Sequence, residues 1–210
     1  MPKTAPFEKH ADRYEGWFED HEDVYRSELG ALRRLVPTTG RGIEIGVGSA
    51  RFAGPLGMQV GIDPSEEMLE YAVARGIEVV RGVAEFLPFG DGSFDTALIV
   101  TTICFVDNIP GTLSEAERVL ESDGALVIGY IDENSPVGRT YQELKDRNPF
   151  YRDAVFVSTE ELVTALETAG FDHFEFVQTV YNRLDEVDGP EPIEEGYGDG
   201  SFVGIKATRG

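Results

Sequence analysis

The stretch GIEIGVGSARF, residues 42–52, decides how the rest of the chain is read. Gly42 to Ile45 is an apolar run interrupted by the acid Glu44, and Gly46 and Gly48 follow it two residues apart. That is a buried strand entering a turn whose backbone must bend sharply or admit a ligand where a Cβ would collide. A phosphate loop would continue Gly-Lys-Ser/Thr, and none follows. A dinucleotide fingerprint would place a third glycine three residues after Gly48, where this chain has Arg51. Both phosphate readings weaken, and Glu44 becomes informative. An acid closing a strand is misplaced beside a pyrophosphate but well placed beside a ligand that carries a positive amine.

Outward from this stretch, short apolar runs alternate with helical patterns. Strands are expected at Gly42–Ile45, Met58–Ile62, Ile77–Val80, Phe94–Thr101 and Ala125–Ile131. A brief helix is expected near Arg51–Leu56, a longer one at Ser65–Arg75 with Ser65 as N-cap, and another at Leu113–Leu120. Strands buried on both faces and separated by helices build a parallel sheet with right-handed crossovers. Upstream, apolar residues recur at three- and four-residue steps from Phe7 to Val36, which predicts helix until Pro37. Downstream, Ser158–Ala169 reads as a helix opened by a Ser158–Glu161 capping box and stopped by Gly170. His173–Tyr181 and Ser201–Ala207 read as two strands with no helix between them, hence an antiparallel hairpin at one sheet edge. The acidic, Gly- and Pro-rich stretch DEVDGPEPIEEGYGDG between them reads as an exposed loop. Residues 134–157, with Tyr141, Phe150, Tyr151 and Phe156, fit none of these units and suggest a lid.

Composition narrows the function classes. The 210 residues suffice for one well-buried domain, and 41% hydrophobic residues predict a packed core. No apolar run approaches the roughly 18 residues of a membrane span. The first residues lack the apolar core of a secretory signal. Cys104 is the single cysteine, which excludes an internal disulfide and a cysteine-rich zinc site and suits a reducing cytoplasm. Eighteen basic against 39 acidic residues give a formal net charge of -21, the wrong sign for nucleic-acid or anionic-membrane partners. Only four of the 18 basic residues are lysines. Acid-rich, lysine-poor surfaces resemble those of proteins from salt-loving organisms, where salt screens such self-repulsion. An ordinary acidic cytosolic protein is the alternative.

Residues 44–52 resemble motif I of class I S-adenosylmethionine-dependent methyltransferases, and further matches follow in the same order. Gly61-Ile62-Asp63-Pro64-Ser65 with Met68 resembles the second motif. Ala84-Glu85-Phe86-Leu87-Pro88-Phe89 followed by Asp91-Gly92-Ser93-Phe94-Asp95 resembles the next, and Glu117-Arg118-Val119-Leu120 with Gly124 resembles the entry to strand five. The likeness covers roughly residues 40–132. It implies an α/β, Rossmann-like, doubly wound, mostly parallel sheet of seven strands, with helices on both faces and the C-terminal antiparallel hairpin. An N-terminal helical cap would occupy 1–38, and a single methyltransferase domain 39–210 with the lid as an insertion.

The resemblance also implies roles. Glu44 would receive the methionyl ammonium of S-adenosylmethionine. The amides around Gly46 and Gly48 would line its methionyl part, and Asp63 would accept hydrogen bonds from both ribose hydroxyls. Met68 would pack on the adenine, Ala84 and Glu85 would border its edge, and Thr101 would lie near the sulfonium. Tyr14 would fold over the cofactor or simply pack between helices. Ala50 replaces a customary glycine, and Val83 replaces a customary acid. The first helix, with Pro55 close behind the loop, is short.

No metal ligands and no catalytic base stand out. His10 and His21 read as surface or packing residues, Trp17 and Phe18 as core, Cys104 as a small apolar residue, and His173 as exposed. Asp132 and Glu133 face the acceptor or are solvated loop acids. The expected activity is methyl transfer by in-line displacement to a small-molecule acceptor, with no nucleic-acid or membrane partner. A non-catalytic cofactor-binding protein and a nucleotide-dependent oxidoreductase are the rivals.

Overall fold

In a computed structural model, which describes residues 3–209, five parallel strands form one half of a continuous sheet. They are β1 (Gly42–Ile45), β2 (Val60–Asp63), β3 (Glu78–Arg81), β4 (Phe94–Val100) and β5 (Leu120–Ile131). β6 (Phe171–Thr179), β7 (Glu194–Glu195) and β8 (Phe202–Arg209) complete it in the order β3-β2-β1-β4-β5-β8-β6-β7. β8 runs antiparallel between β5 and β6, so the two final strands pair as expected. The sheet has eight strands rather than seven, because Glu194 and Glu195 in the acidic loop add to the free edge of β6 opposite Gln178 and Val177. Two exposed acids carry no strand signal. Their pairing comes from backbone groups that every sequence possesses.

Period-two alternation in the central strands supplies two cores. Leu98, Val100 and Val127 point to one face, where Leu29, Leu32 and Leu35 of α3 (Glu22–Leu35) cover them. Ala97, Ile99, Leu126 and Ile128 point to the other, beneath α5 (Ile109–Val119) and α7 (Thr159–Thr168). α4 (Glu66–Ala74) has the predicted Ser65 cap, with Ser65 Oγ accepting from the Met68 amide at 3.4 Å. The Ser158–Glu161 capping box of α7 is present with both of its bonds, at 3.2 and 3.3 Å.

Several boundaries differ from the sequence reading, four of them by more than a shift of a few residues at an element's end. The long N-terminal helix is three: α1 (Ala5–Lys9), α2 (Ala11–Asp20) and α3, broken at His10 and His21. Each piece packs on a different target, so tertiary contacts override the continuous periodicity. Residues 51–57 form successive turns instead of a helix, since Gly54 and Pro55 withhold propensity and a donor. β5 starts at Leu120, which pairs with Phe94 before a register shift. Residues 134–157 contain α6 (Pro136–Glu143), capped by Ser135, and a 3-10 turn at Lys145–Arg147.

Candidate functional site

Two glycines shape the turn after β1, each for a different reason. Gly46 has φ +73°, and a Cβ there would stand 2.2 Å from Thr102 Cγ2. Its glycine is required by protein packing. Thr102 Oγ1 lies 3.1 Å from the Gly46 carbonyl oxygen, joining the end of β1 to the loop after β4. Gly48 has φ +50°, but a Cβ there would find only Met68 Cε at 3.6 Å and the Tyr14 hydroxyl at 3.7 Å, both lining the same cleft. Its bareness leaves space for a ligand. Ala50, in place of the customary glycine, keeps a positive φ of 62° and is fully buried.

The cleft beside this turn is lined by Tyr14, Gly46, Gly48, Asp63, Met68, Ala84, Glu85 and Thr101, eight of the nine residues singled out from the sequence. All but Tyr14 come from the carboxyl ends of β1, β2 and β4 and the segments that follow the strands, where open α/β sheets bind ligands. The Asp63 carboxylate is fixed by two amides, Gly48 N–H to Oδ2 at 3.0 Å and Ser65 N–H to Oδ1 at 2.8 Å. Burial nonetheless pushes its pKa up to about 6, against the pull of these two bonds. Each oxygen keeps a lone pair for a hydroxyl donor. Met68 is buried against the cleft.

Glu44, the ninth, is not on the cleft wall. It is 2% exposed, and Oε2 has no hydrogen-bond partner among the described residues. Burial holds its carboxyl well above the usual carboxylate range, opposed by the Ala53 amide and reinforced by Asp63. A buried, half-partnered acid behind the glycine turn fits a cationic amine, which would restore its ionised form. Burial also raises the Tyr14 phenol, with Glu44 and Asp63 as further causes. Glu85 borders the cleft, but its Oε1 accepts from the amides of Asp107 at 2.7 Å and Asn108 at 3.2 Å. Its carboxylate therefore secures the loop after β4. Thr101 holds φ +49°, a strained value for a β-branched residue, with its amide bonded to the Gly129 carbonyl at 2.7 Å.

The N-terminal helices are clasped over this turn by residues the sequence reading passed over. Glu15 Oε2 accepts from Arg51 Nη2 at 2.6 Å and Arg75 Nη2 at 2.5 Å, and Arg75 Nη1 reaches the Ser49 carbonyl at 2.7 Å. Arg118 explains why two of the sequence motifs occur together. It donates to the carbonyls of Leu87 and Phe89 and to Asp91, tying that segment to α5.

A second cavity, about 290 Å³, shares Phe7, Tyr14, Thr101 and Phe105 with the first. The N-terminal helices contribute Trp17, Phe18 and Glu28 to it, and the 134–157 segment contributes Tyr141, Phe150 and Tyr151. Glu28 was not anticipated. Its signal was an acid four residues from both Val24 and Leu32, within the buried stripe of α3.

Other sequence candidates have structural duties. Asp132 Oδ2 accepts from the Thr159 amide and hydroxyl at 2.8 and 2.7 Å. The Cys104 thiol, pushed up to about 12 by burial, points to the Thr101 carbonyl and is no nucleophile. His173 is exposed against Asp172. Among the described residues no cluster is fit to hold a metal ion, and no helix is long and apolar enough to cross a membrane.

Comparisons with known proteins give the family and the fold. The family described as "Methyltransferase domain" matches residues 43–128. A crystal structure of an S-adenosylmethionine-dependent methyltransferase from Thermotoga maritima, named a possible histamine N-methyltransferase, is 47% identical. It superposes with a TM-score of 0.96 over 99% of this chain and 100% of that one. An uncharacterized protein of Methanocaldococcus jannaschii is 43% identical over 203 residues, 97% of this chain and 98% of that one. Phosphoethanolamine N-methyltransferase 2 of Haemonchus contortus, solved with phosphomonomethylethanolamine and S-adenosylhomocysteine, shares the fold at 16% identity. Its TM-score is 0.64 over 88% of this chain and 52% of that one. With its strand-end cleft, its ordered motifs and these relatives, the chain belongs to the class I S-adenosylmethionine-dependent methyltransferases, and S-adenosylmethionine is its cofactor.

Proposed function

We propose that this methyltransferase moves the methyl group to a small molecule lodged in the aromatic cavity beside the cofactor cleft. The observation that carries the reading is the shared wall: Tyr14, Thr101, Phe105 and Phe7 border both spaces. A molecule in one is thereby adjacent to a molecule in the other. The name of the Thermotoga maritima protein puts small amines first among the acceptors to try.

S-adenosylmethionine supplies a methyl carbon on a sulfonium, displaced in line so that sulfur leaves as a neutral thioether. The chain's own part is positioning and exclusion of water. Asp63, preset by the Gly48 and Ser65 amides, receives the ribose hydroxyls. Glu44 receives the methionyl ammonium from behind the glycine turn. Met68 and Ala84 flank the adenine, and bare Gly48 gives the methionyl part room. Thr101, strained at the end of β4, and Tyr14, held as a neutral phenol, form the partition where the two molecules meet. No described side chain is placed as a dedicated base, which suits an acceptor atom that already carries a free lone pair.

Replacing Asp63 tests the cofactor half. Asp63→Ala should weaken S-adenosylhomocysteine binding by at least tenfold in calorimetry, as expected for charged hydrogen bonds of about 1.5–3 kcal/mol each. Unchanged binding would remove the ribose assignment. Transfer of labelled methyl from the cofactor across a panel of small acceptors tests the activity.

A further inference from the structure

Glu28 stands out in the second cavity because no described residue pairs with its carboxyl. It is 4% exposed, lines the cavity, and has no hydrogen bond or ion pair among the described residues. Burial alone moves its pKa up to about 8. An unpartnered carboxyl in such a place costs stability unless a ligand recovers the cost. The surroundings narrow the ligand. Trp17, Phe18, Phe150, Tyr141 and Tyr151 present rings to the same space. Tyr141 and Tyr151 stack at 4.3 Å, and Trp17 lies face to face with His21 at 4.9 Å. Ring faces attract cations, and Phe150 already carries the Arg13 guanidinium 5.7 Å from its centroid. Burial raises the Tyr14 and Tyr141 phenols, and Glu28 is the smallest further cause in each. Its carboxyl shares the cavity with Tyr14 on the partition and with Tyr141 of the 134–157 segment. The other titratable groups lining the cavity are Arg13, Tyr14 and His21 from the N-terminal helices and Tyr141 and Tyr151 from the lid. None is hydrogen-bonded or ion-paired to Glu28.

Resting on the proposed function, we infer that the acceptor is a small organic amine bound as its cation, its protonated nitrogen received by Glu28 among the aromatic rings. A protonated nitrogen has given its lone pair to the proton, so it anchors and is not methylated. The acceptor therefore carries a second nucleophilic atom, presented at the Thr101–Tyr14 partition. The volume agrees: an engineered cavity of about 150 Å³ holds benzene, so about 290 Å³ admits one ring with a short side chain.

The probes are 2-phenylethylamine and 2-phenylethanol, matched in shape and different in charge, titrated into the protein saturated with S-adenosylhomocysteine. The amine should bind at least tenfold more tightly than the alcohol, and Glu28→Gln should abolish that preference while S-adenosylhomocysteine still binds. Amine binding at pH 7 should also release a proton from Glu28. The release appears as a dependence of the binding heat on buffer ionisation enthalpy, larger for the wild type than for E28Q. Equal binding of the two probes, binding of neither, a preference that survives in E28Q, or no excess proton release would each overturn the inference. Should E28Q not fold, the wild-type preference and proton release decide alone. Loss of S-adenosylhomocysteine binding by the wild type would instead sink the cofactor reading, so the two failures are distinguishable.

Discussion

The cofactor cleft and the aromatic cavity share a wall yet are built by opposite means. The cleft is made of strand ends and tight turns within about one sheet half, and the carboxylates on its wall are already spoken for, Asp63 by two amides and Glu85 by two more, while Glu44 behind the glycine turn keeps one oxygen without a partner among the described residues. The cavity is assembled from pieces more than a hundred residues apart, and its one buried acid has no partner among the described residues. A site that takes an invariant ligand can satisfy most of its carboxylates beforehand and leave open only the one that meets the ligand's positive charge, because the ligand's donors are few and fixed. A site that selects its ligand by charge must leave the charge open, at a cost to the free protein.

The contrast predicts different responses to pH and substitution. The largest effect should come from Glu28. In the unfolded chain it ionises near its ordinary 4.5, whereas in the fold it holds its proton to about 8. The folded state binds more protons between these values, so this stabilisation is complete below pH 4.5 and is lost as pH rises through 8. At 1.36 kcal/mol per pH unit the penalty reaches roughly 3–5 kcal/mol at pH 9. Urea midpoints of Glu28→Gln should therefore exceed those of the wild type at pH 9 and converge with them near pH 5. Parallel curves would contradict the unpartnered state.

Next come the two glycines. Gly46→Ala should cost about 2–4 kcal/mol of stability through collision with Thr102 and a strained φ. Gly48→Ala should cost only about 1 kcal/mol of stability but lower cofactor affinity at least tenfold, read by calorimetry. If both merely destabilise, Gly48 is a turn residue and nothing more. The smallest effect should follow Glu15→Gln, which weakens the clasp to Arg51 and Arg75. These partners are partly exposed, so solvent screening leaves about 1 kcal/mol. Faster proteolysis within the first 20 residues, with the sheet intact, would mark the clasp as the hold on the N-terminal helices.

The parallel half was legible because its signals are local. Apolar runs such as Phe94–Val100 are buried on both faces, the Ser65 and Ser158 caps act within three residues, and Asp63 and Gly48 take their places at or just after strand ends. The broken N-terminal helix, the two-residue β7 and the turns at 51–57 were not legible. Each depends on what a segment packs against rather than on its own pattern.

By itself, then, the sequence determined the five parallel strands, the cofactor and eight of the residues that line the strand-end cleft, since backbone propensity and motif spacing act over a few residues. Only the tertiary structure decided what surrounds Glu28. The helical period gives no more than a face, and folding alone brings Trp17, Glu28, Tyr141 and Tyr151 around one space.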